Sequence, residues 1–161
     1  MLSLTACREE TLPGMPKRYP ASLTVIQDGK PLADAQVVLI NIDPNSNWSG
    51  GGNTDKNGVV QLRTLGQFNG IPEGTYKVGV SKIAYPAHIE IPAEVPYGDK
   101  EAMKEYNRLV KEYEDNTFIV VEQKFSIDNS NIQVTISPEN LKTTVDVSPT
   151  VRIKCPSPPK G

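Results

Sequence analysis

An alternation of apolar and polar residues, cut into short pieces by turn residues, is the feature that most restricts the fold of this chain. It runs from Leu23 to Val80. In Ser22-Leu23-Thr24-Val25-Ile26, Leu23 and Val25 share one face, opposite Ser22 and Thr24. That period of two belongs to a strand. Asp28-Gly29-Lys30-Pro31 follows. Asp-Gly between apolar runs predicts a tight turn, because Gly accepts positive φ without steric cost. Pro31 has no N–H for a ladder. Ala35 to Ile42 is β-branched and aliphatic, as a strand buried on at least one face is. Asp55-Lys56-Asn57-Gly58 repeats the turn logic and predicts positive φ at Gly58, with Val59 to Leu62 as the next strand. Gly74 opens a further strand, in which Tyr76, Val78 and Val80 alternate with Lys77 and Gly79. Short strands bounded by turn residues predict a mainly β protein, an antiparallel sandwich or barrel.

The second half departs from this pattern. Ile83 to Pro96 holds Pro86, Pro92 and Pro96 and reads as an extended edge segment. One inserted helix is expected over about 98–115, with Asp99 as N-cap. Met103, Tyr106, Leu109, Val110 and Tyr113 recur at three- and four-residue spacing and form one apolar stripe. Arg108 and Glu112 stand four apart and can pair. A stripe of this kind ordinarily packs on its own domain, and the sharper alternative is a partner-binding helix. Phe118 to Val121 is a short apolar run. Ile132, Val134 and Ile136 alternate, Ser137 to Asn140 is a turn, and Thr144 to Val147 returns, which predicts a hairpin. Trp48 is the only tryptophan and sits in the loop Asp43 to Gly52. Its ring is expected to fold over one end of the sandwich; the alternative is a stacking platform for a glycan, with Tyr85 and Tyr97. Asp43, Asn45 and Asn47 do not make a calcium loop, since an EF-hand needs Gly at its sixth position and Glu at its twelfth. No metal or cofactor is expected.

With 161 residues the chain suits a single domain over 21–154 without disulfide staples. The formal net charge is −2 and no basic stripe is visible, which argues against nucleic acid as a partner. Leu4-Thr5-Ala6-Cys7 resembles a bacterial lipobox, so residues 1–7 are expected to end a lipoprotein signal, with the lipid on the Cys7 thiol. Only six residues precede Cys7. An apolar signal core takes about 7–15 residues, which leaves a start placed too late or a truncated chain. Residues 8–20, with three prolines, read as a tether. Arg8 stands where an inner-membrane retention signal has Asp, and this favours the outer membrane, on its periplasmic or surface face. Residues 155–161 read as a disordered tail, with Cys155 a free thiol or, if Cys7 is unlipidated, its disulfide partner.

Three segments in order carry a family resemblance: Gly29-Lys30-Pro31-Leu32, Thr54-Asp55-Lys56-Asn57-Gly58 and Gly74-Thr75-Tyr76-Lys77-Val78. Their order resembles the carboxypeptidase-regulatory-like, or transthyretin-like, β-sandwich family, and within it the lipoproteins of bacterial envelopes. The resemblance covers roughly 21–82 and extends weakly to Glu122-Gln123-Lys124-Phe125 and the last strands. It implies a Greek-key, transthyretin-like sandwich. The enzymes on related sandwiches do not fit the inventory. A hydroxyisourate hydrolase uses several histidines and a C-terminal Tyr-Arg-Gly-Ser, and an intradiol dioxygenase needs two Tyr and two His on iron. This chain has one histidine, His88. No P-loop, Cys-x-x-Cys or Gly-x-Ser-x-Gly is present. The expectation is a non-enzymatic envelope lipoprotein, an accessory or interaction module whose partner is an envelope protein or a glycan.

Overall fold

The chain is described over residues 11–156 by a computed structural model; the lipobox, Cys7 and residues 157–161 lie outside that range. The first half contributes strands β1 (Arg18–Tyr19), β2 (Ser22–Gln27), β3 (Lys30–Pro31), β4 (Gln36–Asn41), β5 (Gly50–Asn53) and β6 (Val59–Gln61). There follow β7 (Arg63–Thr64), β8 (Phe68–Asn69), β9 (Ile71–Pro72), β10 (Gly74–Ser81) and β11 (Ile83–Ala84). Helix α1 (Lys100–Asp115) precedes β12 (Phe118–Ile119), a 3-10 turn at Gln123–Phe125, β13 (Gln133–Ile136), β14 (Lys142–Asp146) and β15 (Ile153–Lys154).

Two sheets make the sandwich. One has the order β13-β10-β4-β5-β7-β8, and the other runs β14-β2-β3 with β6 also on β2. Leu23 and Val25 of β2, Val60 of β6 and Val145 of β14 share a single buried cluster with Val37, Leu39, Tyr76, Val78 and Ile136 of the larger sheet. Each such side chain contributes about 1.5–3 kcal/mol when fully buried. The alternation of β2 and β10 is therefore what joins the sheets. Gln27 ends the buried face of β2, and its amide Nε2 donates to Val120 O at 2.8 Å, so the polar group is satisfied. On β10 the outward position Gly79 is buried as well. A Cβ there would sit 2.5 Å from Ile127 Cα, so the segment after the 3-10 turn lies directly on the strand backbone.

The two sequence turns form, with different roles. Asp28 (φ 52°) and Gly29 (φ 74°) both take left-handed conformations, as a type I′ hairpin requires, and Ile26 pairs with Pro31 across it. Pro31 falls in a short strand at the sheet edge, where a missing N–H costs little. At the second turn Gly58 has φ 74°, its N–H donates to Asp55 O, and Asp55 Oδ1 accepts from Asn57 N and Val59 N. This turn joins β5 of one sheet to β6 of the other.

Several expectations are corrected. The segments 133–136 and 142–146 do not form a hairpin: β13 pairs with β10, and β14 pairs with β2 in the opposite sheet. Both strands have one apolar face, and burying Ile136 and Val145 from opposite sides of the core outweighs pairing them with each other. The β14–β2 pairing is also parallel, whereas the other strand ladders are antiparallel. The tether ends earlier than residue 20, because Arg18–Tyr19 pair with Ile71–Pro72 and Arg18 Nε donates to Asn69 O at 2.8 Å. At the other end Cys155 is half-buried and free, and its N–H faces Thr117 O at 3.5 Å.

A Cβ at residue 58 would meet Val25 O at 2.6 Å and Leu32 N at 3.0 Å, both backbone atoms. Gly58→Ala therefore combines left-handed strain with a close contact. It is expected to cost about 1–3 kcal/mol in urea unfolding. An unchanged midpoint would contradict the turn geometry.

Candidate interaction surface

Helix α1 starts where the sequence predicts. Asp99 caps it, with its carboxylate accepting from Ala102 N at 2.9 Å, and Gly98 at φ 81° turns the chain into it. At the far end Asn116 donates through its N–H and its Nδ2 to Glu112 O, and Thr117 Oγ1 donates to Tyr113 O at 2.7 Å. Carbonyls that a helix end leaves unpaired are thereby satisfied. On the outer face Arg108 bridges Glu105 and Glu112, at 2.6 and 2.9 Å. That hydrogen bond holds the Glu105 carboxyl below its usual range and the Arg108 guanidinium above its own.

The stripe is placed as the sequence predicts but is not covered as expected. No residue of α1 is buried. Met103 is 47 % exposed, and Tyr106, Leu109, Val110 and Tyr113 are half-buried. The five residues expected to pack α1 on the sandwich do not form a fully buried contact: Met103 is exposed and the other four are covered only in part. The reason lies in how the helix is attached. Its polar and aromatic links to other described segments gather at its C-terminal end. Tyr113 stacks on Tyr85 with centroids 6.1 Å apart, Asp115 pairs with Lys154 at 2.5 Å, and Thr117 is buried just beyond. The Lys154 partnership keeps the Asp115 carboxyl below its ordinary value. Nothing in the sequence marks Lys154 as this anchor, since it is 39 residues away. Thr117 carries a weak signal, a hydroxyl one turn past the last stripe residue.

The small sheet to which the C-terminal end of the helix is tied has the order β11-β12-β15. Ile83, Ile119 and Ile153 are paired across it, so they share one face, while Ala84, Phe118 and Lys154 share the other. Ile83 and Ile153 are 42 % and 44 % exposed.

The three aromatic candidates do not come together. Gln36 of β4 pairs with Ser81 and Asn41 with Tyr76. Trp48 follows the Asn41 end of the sheet and Tyr85 follows the Ser81 end. The five residue steps between these pairs span roughly 17 Å of strand. Tyr97 is wholly exposed and Tyr85 is 60 % exposed. Trp48 is half-buried and stands outside the core cluster, so it does not close the core as expected. Among the described residues no group of three His, Cys, Asp or Glu is placed to hold a metal ion, and no helix is long and apolar enough to cross a membrane.

A strap, residues 147–152, fastens the first hairpin to the small sheet. Asp28 Oδ2 accepts from Thr150 N at 3.0 Å and from Thr150 Oγ1, and Val151 N donates to Val120 O. The Thr150 hydroxyl, then its N–H, hold the Asp28 carboxyl below its ordinary value of 3.8.

Two outcomes follow from this arrangement. Because the folded carboxyl of Asp28 is depressed, its contribution is fully present above pH about 4 and is lost as pH falls through the lower folded value. The acid arm of a stability–pH curve should be shallower in Asp28→Asn, and an identical curve would remove Asp28 from the acid response. Leu109→Ala should cost less than about 1 kcal/mol, against about 2–5 kcal/mol for Leu39→Ala in the core; equal losses would mean that α1 is packed after all. No protein-family model, curated protein or solved structure matches this chain.

Proposed function

We propose that this chain is a non-enzymatic interaction module of a bacterial cell envelope. In this reading it is a lipoprotein of the carboxypeptidase-regulatory-like, transthyretin-like kind, anchored through lipid on Cys7, most simply in the outer membrane. Helix α1 is its presenting element, and an envelope protein with an apolar groove is the partner. The observation that carries the reading is an ordered, capped amphipathic helix with no buried residue. An isolated helix of this length is marginal in water. Its stripe offers anchors at 103, 106, 110 and 113, the spacing of helix-in-groove recognition.

Composition favours a protein over a lipid surface for that face. Four basic and five acidic side chains decorate α1, whereas membrane-surface helices are rich in Lys and Arg on the polar face. The Glu105–Arg108–Glu112 bridge also satisfies the outer face internally and leaves the stripe as the recognition element. Separation of Trp48 from Tyr85 weighs against a glycan platform, which needs rings on one face.

Labelled palmitate is expected to enter the native-length protein and to be absent from Cys7→Ser; equal labelling would remove the anchor. From solubilised membranes the wild type should run as a complex larger than the monomer. Met103→Glu with Tyr106→Glu should release the monomer with an unchanged unfolding midpoint. A complex that survives both substitutions would remove α1 from the interface.

A further inference from the structure

On the Phe118 face of the small sheet lies a cleft of about 360 Å³, bounded by β11, β12, the start of the 86–88 loop and the strap. Its volume is in the range of small-molecule sites. Phe118, Val120, Ala84 and Val151 supply apolar surface, and Arg152 and His88 stand at its lining. Among the described residues no acidic side chain lines it. Arg152 lies over the Phe118 ring, 4.0 Å from the guanidinium carbon to the centroid. It makes no ion pair with any described residue.

We propose that this cleft binds a small carboxylic acid with an apolar body, its carboxylate on Arg152 and its body against Phe118 and Val120. The proposal is independent of the role of α1. The guanidinium lies over the ring and donates no hydrogen bond to a described residue, so its N–H groups can meet a carboxylate in a two-pronged hydrogen bond. The neighbouring charges are otherwise engaged. Lys154, on the same face of the sheet, is paired with Asp115, and the Asp28 carboxylate is held by Thr150 in the strap. Among the described residues one permanent cation is therefore available at the cleft, with His88 as a neighbouring polar donor. That set suits a monoanion; a phosphate dianion calls for more donors. The site is assembled from residues 84–88, 118–120 and 150–152, each unremarkable alone.

The test is an NMR titration of the full chain with benzoate and, separately, with benzamide, which has the same shape and no charge. Benzoate should shift the amides of Phe118, Val120, Val151 and Arg152. Benzamide should bind about tenfold or more weakly, the scale of a charge-assisted hydrogen bond. Arg152→Gln should lose the same factor for benzoate while its other resonances stay in place, and Arg152→Lys should fall between. The proposal is overturned by absent binding, by equal affinity for benzoate and benzamide, by shifts that map elsewhere, or by an Arg152→Gln variant that binds as the wild type does.

Discussion

Burial of one face of β2 against one face of β4 and β10 is the constraint on which the rest of the structure depends. Leu23 and Val25 meet Val37, Leu39, Tyr76 and Val78 in one cluster. A slip of one residue in any of these strands would turn its apolar set outward. The turns serve that register. The Asp28–Gly29 hairpin sets β3 on β2, and the Asp55–Gly58 turn delivers β6 to the same edge. Thr54 reinforces the join: its buried hydroxyl donates to Leu32 O at 2.6 Å and accepts from Ala35 N at 2.9 Å. A single side chain thus ties the end of β5 to both ends of the β3–β4 connection.

Legibility followed from how local each signal is. The hairpin at 28–29, positive φ at Gly58, and the start and cap of α1 could all be read from neighbours within four residues. The partner of a strand could not. The residues of β13 and β14 look like a hairpin because the turn between them is short, yet Ile136 and Val145 face the core from different sheets. Choosing between pairing and facing requires knowledge of what else fills the core. The same limit explains the anchors of α1 and the cleft. Spacing identifies the apolar stripe, but whether anything covers it depends on Tyr85 and Lys154, which lie on other segments.

Charge on this protein acts mostly at the surface and at joints. Asp28 with Thr150, Asp115 with Lys154, and Asp146 with Ser148 are each solvent-exposed contacts that fasten a loop or strap. Exposed pairs of this kind contribute little individually. Their effect is positional: they hold the strap against the first hairpin and the end of the helix against β15. The sandwich core has no share in these contacts, so its stability and the geometry of the exposed surfaces are set by different residues.

Ala84 and Phe118 are direct antiparallel partners. Everything between them, the proline-bearing stretch and α1 included, is one long excursion from the end of the β11–β12 pair. Topologically it is an insertion whose two ends already touch. Replacing it with a short turn would ask little of the sheets, because closing a loop between adjacent ends has a low entropic cost. The same property lets the excursion change in length and sequence while the sandwich keeps its register. A fold arranged in this way separates the part that must be invariant to fold from the part that is free to diversify.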